Sequence, residues 1–171
     1  MVVSPFMGPS EIRFAADRML GRLARLLRLL GYDSLYSSQM TVEELREIGR
    51  RRERVLLTRG DAGKRFPGFE NVLSLKSQFP PEQLRQVVGH FKLDTRSGLW
   101  TRCTLCNGLI QNVEKGAVEP LVPPKVFGVY DQFFRCADCG HVYWRGSHVE
   151  RILKNLAELL GEVKDESPPA P

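Results

Sequence analysis

Two cysteine pairs constrain this chain more than any other feature of its sequence. The pairs are Cys103-x-x-Cys106 and Cys136-x-x-Cys139, and 29 residues separate them. A C-x-x-C turn brings two thiolates toward one ion, and two such turns complete a tetrahedral set of sulfur ligands. We therefore expect a structural zinc ion, since a closed ligand shell leaves no position for water or substrate. Disulfide bonds are the alternative.

The cellular compartment decides between these alternatives. The N-terminal residues, MVVSPFMGPS, contain two prolines and no basic flank, unlike a secretory signal. The longest uncharged run, residues 103–113, is far shorter than the roughly 20 apolar residues that span a bilayer. We expect a cytoplasmic protein without membrane contact, in which the cysteines stay reduced and available for zinc.

The basic charge of the chain is concentrated in its first 102 residues. The 171 residues carry a net charge of +5, but residues 1–102 alone hold 18 basic and 11 acidic residues. Fifteen of those 18 are arginines, whose planar guanidinium groups form paired hydrogen bonds with phosphate. This distribution favours an anionic partner such as nucleic acid; an ordinary solvated basic surface is the alternative.

Short apolar runs alternate with amphipathic helical patterns along residues 12–91. This alternation predicts an α/β domain with a parallel sheet and flanking helices. We expect strands at residues 12–16, 34–36, 54–58 and 71–75, and helices at residues 18–30, 42–48 and 80–91. Gly31 is expected to end the first helix. Neither a G-x-G-x-x-G nor a Walker loop is present, so nucleotide-binding versions of this architecture are not supported.

A second, smaller unit follows the polar segment 94–98. We expect the α/β domain at residues 10–95, a zinc ribbon with a terminal helix at 96–162, and a disordered tail at 163–171. Segments 122–127 and 130–134 are predicted to contribute short strands to the ribbon. Aromatic residues of this unit either form its core or stack on nucleic-acid bases. They are Trp100, Phe133, Phe134, Tyr143 and Trp144.

The apolar face of the predicted terminal helix requires a partner. This helix is expected to begin near Ser147, where S-x-x-E forms a capping box. Its apolar face consists of Ile152, Leu153, Leu156, Leu159 and Leu160. We expect this face to pack on the α/β domain; a second copy of the chain or another protein is the alternative.

Three acidic residues lie near the carboxyl ends of the predicted strands, where sites form in open parallel sheets. Asp17 directly follows the first strand, Asp61 follows the third by three residues, and Glu44 borders the apolar face of the second helix. Clustered carboxylates need a divalent cation among them, and Mg²⁺ or Mn²⁺ there would activate water for phosphodiester hydrolysis. Each acid also has a local alternative: Asp17 as a helix N-cap, Glu44 in a capping box, and Asp61 in a turn.

The first predicted helix carries arginines on the side opposite its leucines. Arg18, Arg22, Arg25 and Arg28 recur at spacings of four, three and three residues, and Arg59 follows the third strand. We predict that these five arginines hold a nucleic-acid backbone beside the acids. The solvated face of an amphipathic helix is the alternative.

Six segments of the chain resemble one known family. They are DRMLGRLAR at 17–25, LLGYD at 29–33, LLTR at 56–59, RCTLCN at 102–107, CADCG at 136–140 and YWRGSH at 143–148. Over residues 12–155 the chain is similar to the Mut-seven C-terminal ribonuclease domain family, a branch of the PIN-like nucleases with an appended zinc ribbon. The resemblance implies a PIN-like fold and metal-dependent cleavage of RNA by clustered acids, with Asp17 as the first of them.

The chain departs from the family's pattern at two acidic positions. The family usually has Asp directly after LLTR, where this chain has Gly60, and Asp61 comes one residue later. The acid that often precedes Glu-Glu-Leu is replaced by Val42. Two hypotheses follow. One is a Mg²⁺- or Mn²⁺-dependent endoribonuclease that uses Asp17, Asp61 and Glu44; the other is an RNA-binding protein that keeps the fold and the zinc without the catalytic metal.

Overall fold

Four short parallel strands form the sheet of the first unit. The computed structural model describes residues 12–160, so the predicted disordered tail and the N-terminal segment lie outside the described residues. The strands are β1 (Phe14–Ala16), β2 (Ser34–Tyr36), β3 (Val55–Thr58) and β4 (Val72–Ser74). They pair in the order β2-β1-β3-β4, and all three pairings are parallel. The predicted α/β fold with a parallel sheet is confirmed.

Helices cover both faces of this sheet. They are α1 (Gly21–Leu29), α2 (Val42–Arg50), α3 (Ala62–Arg65) and α4 (Pro80–Phe91), and a 3₁₀ turn (Arg18–Leu20) precedes α1. Alternate residues of a strand point to opposite faces. Accordingly, Phe14 and Ala16 of β1 lie in one core with α1 and α4, whereas Ala15 lies in a second core with α2.

Gly31 ends α1 with a backbone conformation that favours glycine. Its φ is +91°, which agrees with the predicted end of the first helix. A Cβ atom at this position would lie 2.2 Å from the carbonyl oxygen of Gly98, in the segment that leads to the second unit. Gly31 therefore allows both the turn and a close approach of two backbone segments.

The second unit contains a three-stranded antiparallel sheet. Its strands β5 (Ile110–Val113), β6 (Phe133–Cys136) and β7 (Val142–Trp144) pair in that order. A 3₁₀ segment (Lys115–Leu121) and helix α5 (Pro124–Val129) connect β5 to β6. The small core of this unit consists of Val118, Val122, Phe133 and Val142. Phe133 thus belongs to the core, one of the two roles predicted for the aromatic residues.

The prediction of a strand at residues 122–127 is wrong. Pro124 stands in the first turn of α5, where the missing N–H of proline removes no helical hydrogen bond. Val126 and Phe127 then pack from this helix against the core of the ribbon. The prediction for residues 130–134 is only partly right, because β6 begins at Phe133.

The terminal helix α6 (Ser147–Leu160) packs on the α/β core, as predicted. Leu156 is 4% exposed and belongs to the same core as α1 and α4. The partly buried residues of α6 that pack against this core are Ile152, Leu159 and Leu160. The side chains of Ser147, Glu150 and Leu153 lie outside those described, and with them the predicted capping box. Between residues 12 and 160, no helix is long and apolar enough to cross a membrane.

Candidate nucleic-acid interface and metal centre

Asp17 lies at the carboxyl edge of the parallel sheet, directly after the central strand β1. Its backbone N–H donates to the carbonyl oxygen of Leu57 (2.9 Å), which extends the pairing of β1 with β3 by one residue. Thr58, the last residue of β3, donates its hydroxyl to Oδ2 of Asp17 (3.1 Å). Asp17 is only 2% exposed and its side chain makes no N-cap hydrogen bond. The local alternative proposed for this residue is therefore not formed.

Arg65, a residue that the sequence patterns did not single out, supplies the charge opposite Asp17. It stands at the end of α3, and its Nη1 donates to Oδ2 of Asp17 and to the hydroxyl oxygen of Thr58 (2.8 Å). The Arg65 side chain is 28% exposed, so the ion pair is largely shielded from water. A four-residue helix has too few positions to show a periodic pattern, and the contact with Asp17 spans 48 residues of chain.

Gly60 provides the space through which Arg65 reaches Asp17. A Cβ atom at position 60 would lie 2.8 Å from Cδ of Arg65. The carbonyl oxygen of Gly60 accepts a hydrogen bond from the hydroxyl of Ser74 (2.8 Å), which holds the loop after β3 to the end of β4. The aliphatic part of the Arg65 side chain therefore occupies the space that a side chain at position 60 would need.

Glu44 makes the local interaction that was its alternative, and Asp61 makes a different one, because it caps a helix and does not lie in a turn. Asp61 is the N-cap of α3, where its Oδ1 accepts from the backbone N–H of Lys64 (3.2 Å), and its side chain is 59% exposed. Glu44 forms a capping box with Thr41, whose backbone N–H and hydroxyl donate to Glu44 Oε2 (2.7 and 2.9 Å). These hydrogen bonds lower the pKa of the exposed Glu44 carboxyl group below its usual value.

In residues 12–160, Asp17, Asp61 and Glu44 do not form a three-carboxylate group placed to hold one ion. Of the His, Cys, Asp and Glu side chains in residues 12–160, a group of three or more placed to hold one ion occurs only at the four cysteines. Oδ2 of Asp17 already accepts hydrogen bonds from Arg65 and Thr58. The carboxylates present therefore do not fit the divalent ion that the family resemblance implies.

Arg18, Arg22 and Arg25 line an open groove of about 520 Å³ at the carboxyl edge of the sheet. All three are exposed, and within the described part of the chain none forms an ion pair with an acidic side chain. Tyr36, the last residue of β2, forms another part of the wall and donates its hydroxyl to the carbonyl oxygen of Arg18 (3.0 Å). Arg59 is exposed but does not line this groove.

Arg28, the fourth arginine of the helical series, faces the second unit. It is 3% exposed, and its guanidinium donates to the carbonyl oxygens of Ser34 (2.9 Å), Thr104 (3.1 Å) and Leu105 (2.7 Å). Burial lowers the pKa of Arg28, and the thiolates of the neighbouring cysteines raise it in part. The structure thus places Arg28 beneath the first C-x-x-C turn, away from the groove.

The four cysteines converge at one point, as the sequence predicts. Their sulfur atoms all lie within 4.8 Å of one another. Sγ of Cys103 is 3.7 Å from Sγ of Cys139, and Sγ of Cys106 is 3.4 Å from Sγ of Cys136. A tetrahedral zinc site with bonds of about 2.3 Å has sulfur–sulfur edges of about 3.8 Å. The donor set therefore fits zinc, and all four cysteines are free of disulfide bonds.

Local hydrogen bonds favour the metal-binding form of Cys103. Burial raises the pKa of its thiol, but the hydroxyl of Tyr143 and the backbone N–H groups of Cys106 and Leu105 outweigh burial and lower this pKa to about 6. The hydroxyl oxygen of Tyr143 lies 3.0 Å from Sγ of Cys103. The thiolate is the form that binds metal, so Cys103 is prepared for an ion at neutral pH.

The comparison with known families agrees with the fold and with the cysteine cluster. The Mut7-C RNAse domain model matches residues 12–156. The corresponding searches found no match among curated proteins and none among solved structures. Because the matched segment covers most of the chain and includes both the parallel sheet and the four cysteines, the protein belongs to the Mut7-C RNAse domain family, whose description supports a nuclease-like function.

Proposed function

We propose that the protein binds single-stranded RNA along the groove lined by Arg18, Arg22 and Arg25. The observation that carries this proposal is the exposure, at the edge of a nuclease-family sheet, of three guanidinium groups that have no acidic partner among the described residues. Guanidinium groups bind phosphate oxygens in pairs, and the release of counterions from RNA favours the complex. From Arg18 to Arg25 the helix spans about 11 Å, so the arginines can follow a short stretch of backbone.

Exposed apolar side chains beside the arginines support contacts with bases. Met19 lines the groove and is 61% exposed. Phe79 is 57% exposed and lies between two further lining residues, Gln78 and Pro80. Stacking of bases on such side chains is available only in a single strand, since the bases of a duplex are already stacked.

The zinc ion has a structural role in this proposal. Cys103, Cys106, Cys136 and Cys139 would hold it, and a complete set of four thiolates leaves no coordination position for substrate. The bound ion would fix the first C-x-x-C turn against α1, where Arg28 donates to two carbonyl oxygens of the turn. The ribbon would thereby support the helix that carries the groove arginines.

Substitution of two groove arginines tests RNA binding. In the Arg22→Gln/Arg25→Gln variant we expect about tenfold weaker binding of a single-stranded RNA. We also expect the slope of log affinity against log salt to fall by about 1.4, since two phosphate contacts are lost. Fluorescence anisotropy at several salt concentrations measures both quantities. The matched control is Arg51→Gln/Arg52→Gln, which removes the same charge from exposed positions outside the groove. Equal losses in the two variants would contradict a specific role of the groove.

A metal-dependent endoribonuclease is the second candidate function. The observation in its favour is the position of Asp17, which is buried at the carboxyl edge one residue before the first groove arginine, in a chain of a ribonuclease family. This candidate requires Asp17, Asp61 and Glu44 to come together around Mg²⁺ or Mn²⁺, an arrangement that the described residues do not form. End-labelled RNA incubated with either ion distinguishes the two functions. Products that disappear with chelator and in Asp17→Asn establish the nuclease, whereas salt-sensitive binding without products establishes the RNA-binding protein.

A further inference from the structure

We propose that Arg65 is the permanent cation of the Asp17 site and takes the place of a divalent metal ion there. This inference concerns the carboxylate itself and does not depend on whether the neighbouring groove binds RNA. If it holds, the wild-type chain does not use Asp17 for metal-dependent cleavage, although its fold is that of a nuclease family.

The burial of Asp17 requires a compensating charge. A carboxylate that is 2% exposed has lost nearly all of its contact with water, and a charge in such a place is retained only when it is paired and hydrogen-bonded. Arg65 provides the opposite charge, and Thr58 provides a second donor to the same oxygen. Arg65 and Thr58 therefore supply the positive charge and the hydrogen bond that the buried carboxylate needs, so no metal ion is required for this purpose.

A metal ion and Arg65 cannot share this position. A cation that binds Oδ2 of Asp17 would lie next to a guanidinium group that contacts the same atom. The two positive charges would repel each other in a site with little water to screen them. For a metal ion to bind, Arg65 would have to leave both Asp17 and Thr58.

Gly60 allows Arg65 to reach Asp17, and it stands where the family usually has an acid. Because a Cβ atom at position 60 would lie 2.8 Å from Cδ of Arg65, a side chain at this position would require the arginine to shift. We expect an acid at this position to compete with Arg65 for the space beside Asp17. We therefore infer that Gly60 and Arg65 belong together: the glycine leaves the space beside Asp17 that the arginine occupies.

The other acids near the loop are held elsewhere. Asp61 caps the N-terminus of α3, and Lys64 Nζ lies 3.9 Å from its second oxygen. Glu44 is held by both the backbone and the hydroxyl of Thr41. In the part of the chain that the structure describes, neither carboxylate is bonded to Arg65 or to Thr58, so Asp17 is the one carboxylate that Arg65 neutralises.

Binding of Mn²⁺ to the zinc-loaded full-length protein, followed by the loss of the free-ion signal in electron paramagnetic resonance, tests the inference without any activity assay. We expect no Mn²⁺ at the Asp17 site of the wild-type protein or of the control Lys64→Gln, which removes a neighbouring exposed charge. We expect one bound ion in Gly60→Asp/Arg65→Gln, and its loss when Asp17→Asn is added to that variant.

Two results would overturn the inference. The first is one Mn²⁺ bound by the wild-type protein and lost in Asp17→Asn; this comparison needs no engineered site and decides the matter even when the double variant does not fold. The second is a double variant that keeps its zinc and its circular dichroism spectrum but binds no Mn²⁺. RNA binding measured on the same samples separates a failure of this inference from a failure of the proposed function.

Discussion

Asp33 and Arg54 form a paired ion contact at the amino edge of the parallel sheet, opposite Asp17. Nη1 of Arg54 lies 2.6 Å from Oδ1 of Asp33, and Nη2 lies 3.0 Å from Oδ2. The amide of Asn107, in the first C-x-x-C turn, also donates to Oδ1 (2.8 Å). One carboxylate therefore connects β2, the start of β3 and the ribbon.

The protonation of Asp33 should control part of the stability at low pH. Burial raises the pKa of Asp33, but the hydrogen bonds from Arg54 and Asn107 outweigh it and hold this pKa below its usual value of 3.8. A lowered folded-state pKa contributes stability above the unfolded-state value, and that stability is lost as the pH falls through the folded-state value. We expect Asp33→Asn to lower the free energy of unfolding by about 1–3 kcal/mol between pH 5 and 8.

The difference in the free energy of unfolding between the wild-type protein and Asp33→Asn should disappear as the pH falls below about 4. Denaturant unfolding at a series of pH values, with zinc content verified at each, measures this difference. The matched control is Asp131→Asn, whose carboxylate pairs with Lys115 but is 90% exposed and should show little effect at any pH. A difference in the free energy of unfolding that stays constant down to pH 2 would contradict the role assigned to the Asp33 carboxylate.

At the scale of the elements, most of the helices and strands predicted from local pattern agree with the structure, but helix α5 and the partner of Asp17 were missed. The four strands and the helices α1, α2 and α4 follow from short apolar runs and helical spacing. Helix α5 was missed because its apolar residues Val126 and Phe127 fit a short strand equally well in sequence. The partner of Asp17 was missed for another reason, since Arg65 reaches it only after β1, β3 and α3 have assembled.

A contact between distant parts of the chain also separates one arginine of the first helix from the other three. Their spacing places all four on one side of the 3₁₀ turn and α1, but the ribbon packs over Arg28. No local sequence pattern predicts this contact with the ribbon. Arg28 contacts carbonyl oxygens that are 76 and 77 residues away in the chain. Arg18, Arg22 and Arg25 remain exposed and line the groove, and their contact with nucleic acid stays a prediction.

The end of α1 provides a test of element packing. Gly31→Ala should destabilise the protein by more than about 3 kcal/mol, because a Cβ atom would meet the rigid backbone of Gly98 and because φ is positive. Gly68→Ala is the control, since φ is also positive there but no atom of residues 12–160 lies within 4 Å of the added Cβ. This substitution should cost about 1 kcal/mol. Urea unfolding of both variants measures the difference; equal losses would show that backbone strain alone explains the effect.

At the scale of the whole molecule, the two units form one structure through the first C-x-x-C turn. Arg28 donates to two carbonyl oxygens of this turn, and Oδ1 of Asn107 accepts from the backbone N–H of Ser34 in β2 (2.9 Å). Four thiolates with one zinc ion carry a net negative charge, and the buried Arg28 lies beside two of them. Metal binding and the stability of the parallel sheet should therefore be coupled.

Removal of zinc tests this coupling. We expect a chelator to lower Tm of the protein by more than about 10 °C, because loss of the metal frees the turn and leaves Arg28 buried without two of its acceptors. Calorimetry of the zinc-loaded and chelated protein measures the change, and readdition of zinc should restore it. A chelated protein whose parallel-sheet unit melts at the original temperature would show that the two units are independent.

The most direct test of RNA binding by the groove is photochemical cross-linking of a single-stranded RNA to the wild-type protein, followed by mass spectrometry of the linked peptides. We expect cross-links in residues 18–25 and 78–83, the two segments that line the groove. Cross-links confined to the ribbon, residues 103–144, would contradict it, since the RNA would then lie on the zinc-binding unit and the groove arginines would have no part in its recognition.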